Sequence, residues 1–358
     1  MVKRVRIELE GFVQGVGFRP FVYRLAQRFG LKGFVKNVTS GVVIEAEGDK
    51  KSIDDFLVAL EKERPKPSRI TRISREFIEP VGDISFSIIS SEKRDNIQGD
   101  MVPDLATCED CLREMLDPSD RRYLYPFINC TNCGPRFTII ESLPYDRPST
   151  TMREFTMCNA CQAEYDDPLT RRFHAQPNAC VICGPSYTLT TDTRVLTNIS
   201  AIRFICDRIS DGEIVAVKGV GGYHLVCDAT NSVPLEKLRK AKARPFKPFA
   251  CMVRDKKTLE KLVQLDEKGW ELLSSPAAPI VLLRKTEECD NIISPLVAPG
   301  LSHLGVMLPY APIHHLLFHI GGFDVLVATS ANRQDEPITI DNAEAIRTLN
   351  GIASYFLT

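Results

Sequence analysis

The first ninety residues alternate between two periods. Val5–Glu10 switches between apolar and polar side chains at every residue, the pattern of a half-buried strand, and Ile70–Ile78, which alternates less regularly, is read as another strand. Between them, Pro20–Phe29 sets its apolar residues at helical spacing, with a proline in the first turn where a missing N–H costs nothing. Gly33–Val38 and Gly41–Glu47 read as strands around Thr39-Ser40, a hairpin signal. Ser52–Arg64 carries Phe56, Leu57 and Leu60 on one face of an amphipathic helix. Strand, helix, strand, strand, helix, strand is the order of a ferredoxin-like sandwich, predicted here for residues 1–91. Ser90–Gln98 is polar and charged and reads as a linker. From residue 191 to 358 the pattern is α/β: Glu213–Val217 and Asp324–Ala328 are short apolar runs suited to buried strands, and Pro234–Ala243 is helical. The fold class expected is α+β, multidomain.

Residues 104–190 follow neither period but repeat themselves. CEDCLREMLDPSDRRYLYPFINCTNCGPRFTI aligns with CNACQAEYDDPLTRRFHAQPNACVICGPSYTL. Both copies hold a Cys-x2-Cys pair, an acidic-Pro turn, Arg-Arg, and then Cys-x2-Cys-Gly-Pro, with 18 residues between the pairs. A zinc ion takes four ligands at tetrahedral geometry, and two such knuckles supply four thiolates. Cys108, Cys111, Cys130, Cys133, Cys158, Cys161, Cys180 and Cys183 therefore imply two closed structural zinc sites, which hold the fold and leave no position for chemistry. Pairing is open between two sites each within one repeat and a crossed arrangement. The crossed one is favoured: Cys130 through Cys161 runs knuckle, hairpin, cysteine-bearing helix, leaving Cys108/Cys111 to meet Cys180/Cys183. His174 lies inside the repeat, where the cysteines already fill both shells. Arg121-Arg122 and Arg171-Arg172 read as a solvated face or as partners of nearby aspartates.

Composition narrows the class. The chain has 358 residues, 44% hydrophobic and 25% charged, with a formal net charge of −1. That is enough for two or three domains with their own cores. Near-neutral charge argues against a nucleic-acid binder that relies on global electrostatics. The N-terminus lacks the apolar region of a signal peptide, and no apolar run reaches the ~18 residues of a membrane span. A cytoplasmic location is expected, with no membrane partner. Of the twelve cysteines, Cys206, Cys227, Cys251 and Cys289 stand outside the pairs in apolar surroundings and are expected to be buried. In APIHHLLFH only His315 and His319 share a helix face, so packing rather than a metal is expected there.

Candidate chemistry begins at EGFVQGVGFRPFVYRLAQRFG. Gln14–Phe18 follow a strand and open a helix, so their N–H groups can converge on an anion, and Arg19 adds a fork that matches phosphate or carboxylate. GFVQGVGFRPFVYRLA followed by GFVKNV closely resembles the acylphosphatase motif, whose fold is the βαββαβ order predicted above. The resemblance implies that Arg19 binds the phosphoryl group with the backbone of Gln14, Gly15, Val16, Gly17 and Phe18, and that Asn37 orients the attacking water. An acyl phosphate is already activated, so positioning and charge stabilisation suffice.

LRKAKARPFKPFACMVRD sets Lys242, Arg244 and Lys247 around two prolines, and VATSANRQDEP follows a buried strand. With KGVGGYHLVCDA upstream, these segments resemble the YrdC-type domain, which makes carbamoyl-type adenylates from ATP. The resemblance implies nucleotide-phosphate binding by Lys242, Arg244, Lys247, Ser330 and Asn332, with ATP as substrate together with Mg, and Tyr223 and His224 lining the pocket. Threonine-using members carry Pro-Thr-acidic-Thr where this chain has Val220-Gly221-Gly222-Tyr223, so threonine is not the expected substrate.

An acylphosphatase-like domain (1–91), a double zinc-finger module (104–190) and a YrdC-like domain (191–358) in series resemble the N-terminal part of the HypF family, the carbamoyltransferases of NiFe-hydrogenase maturation. The resemblance implies hydrolysis of carbamoyl phosphate, formation of a carbamoyl adenylate from ATP, and delivery to the C-terminal cysteine of HypE by a further C-terminal domain. The sequence ends at GIASYFLT without a helix cap or polar tail, as expected of a fragment. The alternative is an acylphosphatase with accessory domains that dock a partner or RNA.

Overall fold

The structure is a computed structural model and describes residues 2–92, 102–332 and 336–358. The linker predicted at Ser90–Gln98 lies outside the described residues from position 93 onward, as do Arg333, Gln334 and Asp335. Two compact units emerge, one of residues 1–104 and 129–184, the other of 105–128 and 185–358.

In the first unit, β1 (Val2–Phe12), α1 (Phe18–Arg28), β2 (Lys32–Val38), β3 (Gly41–Asp49), α2 (Lys50–Lys62) and β4 (Arg69–Ile78) follow the order read from the sequence. A short β5 (Phe86–Ile88) joins β2 in parallel, so the sheet runs β4-β1-β3-β2-β5. A strand this short shows no period, which is why the sequence did not reveal β5. The alternation of β1 decides the register. Val5, Ile7 and Leu9 enter a core with Val22, Leu25, Phe56 and Leu60 from the two helices. Arg4 and Arg6, on the other face, sit opposite Glu47 and Glu45 of β3 and pair with them at 3.0 Å each. A slip of one residue would reverse both patterns at once. Later in the same unit, α4 (Asn159–Asp166) starts at the N-cap Cys158.

In the second unit, α3 (Glu109–Leu116) starts at the N-cap Cys108. The chain continues through β6 (Thr188–Thr190), β7 (Val195–Thr197), α5 (Asn198–Ser210), β8 (Val215–Gly219), β9 (Gly222–Asp228), α6 (Ser232–Ala241) and β10 (Cys251–Val253). Then come α7 (Lys256–Leu262), α8 (Glu267–Leu273), β11 (Val281–Arg284), α9 (Cys289–Ile292), β12 (His303–Met307), α10 (Pro312–Gly321), β13 (Val325–Ser330), α11 (Asn342–Thr348) and β14 (Tyr355–Leu357). A seven-stranded mixed sheet runs β11-β12-β10-β13-β9-β8-β14. The two apolar runs read as buried strands are β8 and β13, and the predicted helix is α6. Cys206, Cys227, Cys251 and Cys289 are all buried, as expected of small apolar side chains. No helix among the described residues is long and apolar enough to cross a membrane.

Candidate active site

β1 delivers the chain to a turn over residues 13–17 that opens α1. Gly15 and Gly17 adopt left-handed φ angles of 70° and 72°, and Gly17 caps the helix without help from any side chain. The N–H groups of Gly15, Val16, Gly17, Phe18 and Arg19 make no hydrogen bond among the described residues. Five donors at one helix start, with the partial positive charge of that end, form an anion cradle. A Cβ on either glycine would come to 3.0 Å, from Thr131 at Gly17 and from Arg136 at Gly15, so conformation and space both demand glycine.

Arg19 is 8% exposed. Its Nη2 donates to the Asp146 carboxylate at 2.7 Å and, more loosely, to the Tyr145 carbonyl at 3.5 Å. The Ser91 hydroxyl also donates to Asp146. Asn37, near the end of β2, is 1% exposed and donates through Nδ2 to the Tyr145 carbonyl at 3.1 Å. A carbonyl can only accept, so this bond fixes the amide and leaves Oδ1 as a buried acceptor without a partner. Cradle, Arg19 and Asn37 line one cavity, together with Arg136 and His174. Burial, reinforced by the charge of Arg19, pushes the His174 imidazole down to about 4 and keeps it neutral at pH 7.

The Gln14 side chain is committed elsewhere. Its Nε2 donates to Val38 and Gly41 carbonyls at 2.7 and 3.1 Å, and its Oε1 accepts from the Tyr145 N–H at 2.8 Å. Only its backbone is left for an anion. Sequence reading did not find Arg136, Tyr145 or Asp146, and it named His174 without a place in this cavity. They come from the repeat region, where neither period nor motif marks them.

The eight predicted thiols form two clusters, each drawn from a single repeat. Cys108, Cys111, Cys130 and Cys133 lie within 4.8 Å of one another, and so do Cys158, Cys161, Cys180 and Cys183. The crossed pairing favoured from the sequence is therefore corrected. Each cysteine-bearing helix folds back on the knuckle that follows it, and the 18-residue spacer closes the loop. In the second cluster the Sγ separations include 3.6 and 3.8 Å. Tetrahedral Zn–S bonds of about 2.3 Å demand S···S edges near ~3.8 Å, so the donor set fits zinc. The Cys161 N–H points at the Cys158 sulfur and helps pull that thiol down to about 6. The solvated-face reading of the arginine pairs is corrected for the second residue of each. Arg122 and Arg172 are buried, and Arg172 donates to the Asn129 carbonyl at 3.2 Å and pairs with Glu164 at 3.8 Å.

In the second unit, β13 ends at Ser330, whose hydroxyl donates to Asn332 Oδ1 at 2.9 Å. Lys242, just past α6, is 2% exposed. Its Nζ donates to the Ser330 carbonyl at 2.7 Å and to the Asn332 carbonyl and Oδ1 at 3.0 and 3.1 Å. Three N–H donors meet three acceptors. Burial, then the charges of Arg244 and Lys247, lower this ammonium to about 8. Arg244 is half-buried and Lys247 exposed, so these two are the cations left for a ligand. Arg239, absent from the sequence reading, is the clasp of their loop: Nη1 donates to the carbonyls of Arg244, Pro245 and Lys247 at 2.6, 3.2 and 3.2 Å. The Tyr223 hydroxyl and the Lys218 ammonium both donate to Asn342 Oδ1, at 2.8 and 2.6 Å. His224 is half-buried, its Nε2 3.4 Å from the Tyr310 hydroxyl and its Nδ1 without a partner among the described residues.

Family profiles match in series: "Acylphosphatase" at residues 5–88, "HypF finger" at 107–140 and 157–190, and "Telomere recombination" (Sua5, YciO, YrdC) at 207–358. The acylphosphatase of Thermotoga maritima is 42% identical over 88 residues, 24% of this chain and 97% of that protein. Cradle, fingers and mixed sheet thus define an acylphosphatase joined to paired four-cysteine fingers and a YrdC-like domain. Carbamoyltransferase HypF of Synechocystis is 50% identical over 359 residues, covering 100% of this chain and 46% of that protein. A crystal structure of full-length HypF, in a phosphate- and nucleotide-bound form, has a TM-score of 0.94 at 45% identity, covering 100% of this chain and 46% of that one. The chain belongs to the HypF carbamoyltransferase family, and it spans about half the length of the curated relatives it matches.

Proposed function

We propose that this chain performs the first two steps of a carbamoyltransferase in NiFe-hydrogenase maturation: hydrolysis of carbamoyl phosphate and adenylation of the carbamate with ATP and Mg. Residues 1–91, 104–190 and 191–358 are its working segments, in the cytoplasm. The observation that carries the reading is the cradle: five N–H groups and the Asn37 Oδ1 without a partner among the described residues, in one cavity with Arg19. The phosphoryl oxygens occupy the N–H groups and the free edge of the guanidinium. A water donates to Asn37 Oδ1 and attacks phosphorus, the bond from phosphorus to the acyl oxygen breaks, and carbamate and phosphate leave. In the second unit Arg244, Lys247 and the Ser330–Asn332 turn receive the ATP phosphates. A carbamate oxygen attacks the α-phosphorus, and pyrophosphate departs. Delivery of the carbamoyl group to HypE belongs to the part of the relatives beyond this chain's match.

Pyrophosphate and phosphate release from ATP plus carbamoyl phosphate tests the reading. Arg19→Ala is expected to lose both products, whereas Lys247→Ala keeps phosphate release and loses pyrophosphate. Intact hydrolysis without ATP-dependent pyrophosphate release would leave an acylphosphatase with accessory docking or RNA-binding domains.

A further inference from the structure

Asp146 and Tyr145 lie outside the 5–88 match to acylphosphatases, yet they touch each of the side chains that shape the cradle. The backbone of one residue holds three of them: the Tyr145 N–H donates to Gln14, and its carbonyl accepts from Asn37 and Arg19. We infer that Tyr145 and Asp146 are positioning residues for acyl-phosphate hydrolysis, supplied to the acylphosphatase fold by the segment between the two fingers. The inference rests on the reading of the cradle as a phosphoryl site.

A guanidinium binds a phosphoryl group well only when its fork lies in the plane of the oxygens, and a free arginine loses rotamer entropy to reach that pose. The 2.7 Å bond from Nη2 to Asp146 fixes the plane beforehand. Nε and, apart from a long 3.4 Å contact with Ser91, Nη1 remain for the anion. The arrangement carries a penalty, because the Asp146 charge repels the phosphoryl group that Arg19 attracts. Orientation and repulsion can be separated chemically. Asparagine keeps an acceptor for Nη2 and loses the charge, while alanine loses both.

The test is steady-state hydrolysis of carbamoyl phosphate by the full chain, with inorganic phosphate as inhibitor and zinc content measured for each variant. Asp146→Ala is expected to lower kcat by about 100-fold, the scale of a misplaced catalytic group. Asp146→Asn should restore kcat to within ~3-fold of the parent and tighten inhibition by phosphate, since a charge-assisted bond loses its competing anion. A kcat for Asp146→Ala within ~2-fold of the parent, far below the effect of misplacement, would overturn the inference, as would an Asp146→Asn as impaired as Asp146→Ala. If Asp146→Ala loses its zinc, Asp146→Asn decides alone: near-parent kcat with tighter phosphate inhibition supports positioning, and a reduced kcat overturns it. Arg19→Ala separates the two failures, since hydrolysis surviving in that variant would remove the cradle reading itself.

Discussion

The cradle of residues 14–19 and the basic loop of residues 242–247 both offer themselves to phosphate, and they are built in opposite ways. In the first, an anion meets backbone N–H groups and one arginine edge, and no lysine. In the second it meets two long side chains, Arg244 and Lys247, on a loop whose carbonyls Arg239 holds. Each site also contains a polar residue whose side chain braces the structure instead of facing the ligand: Gln14 bonds three backbone groups, and Lys242 bonds two backbone carbonyls. The difference teaches where selectivity comes from. Fixed N–H groups suit one small anion in one pose, while long cations on a clasped loop suit an extended polyphosphate.

Four experiments would break or sharpen that contrast. Chelating the zinc should have the largest effect, since closed four-thiolate sites contribute on the order of 10 kcal/mol or more to folding. Arg136 ties the Gly15 carbonyl to the Cys130 and Cys133 carbonyls, so carbamoyl-phosphate hydrolysis should vanish with the metal. Hydrolysis that survives full zinc removal would show that the cradle stands by itself. Next, Arg19→Ala should cost about 10²–10³ in kcat/KM, as for other preorganised anion donors, whereas Asn37→Ala should lower kcat with little change in KM. Third, Arg239→Met leaves several buried carbonyls unpaired and should destabilise the second unit by about 3 kcal/mol while raising the KM for ATP. Hydrolysis of carbamoyl phosphate by the same variant should be unchanged, and a parallel loss there would erase the distinction between the sites.

The smallest effect is a pH dependence. Lys242 has its pKa lowered to about 8, so its ammonium, and with it the order of the Ser330–Asn332 turn, is lost as pH rises through that value. ATP affinity measured by calorimetry should fall by a few-fold between about pH 7 and 9, and the fall should be absent in Lys242→Arg, whose charge persists. The linkage runs the other way for stability. The folded pKa lies below the ordinary lysine value, so the unfolded chain holds more protons between about 8 and 10.4 and folding gains as pH rises there. Weaker binding at pH 9 would therefore run against this group's own contribution to stability.

Much of this was legible in the residues. Period-two runs and amphipathic spacing located all six elements of the ferredoxin-like order, because each buries one face and a pattern of that kind is local. The eight thiols were equally plain. Which thiols share a metal was not, since four identical pairs satisfy the ligand count in either pairing and only the path of the 18-residue spacers decides. Burial of Arg122 and Arg172 was missed for a related reason: a charge pair in sequence looks solvated until its carbonyl partners are known. Tyr145 and Asp146 were out of reach altogether. They act through the backbone of one residue and the carboxylate of the next, more than a hundred residues from Arg19, in a segment without any repeating pattern.

That distance along the chain has a consequence in time. The sheet of the first unit is complete once β5 has been made at Ile88, but the segment that fixes Arg19 and Asn37 is synthesised roughly sixty residues later. At about 5–20 residues per second, a nascent chain spends several seconds with a folded sheet and an unbraced cradle. Its first site becomes competent only as the second knuckle of the first finger and the segment beyond it leave the ribosome. If the cradle hydrolyses an acyl phosphate as proposed, that activity waits until the module that follows has been built.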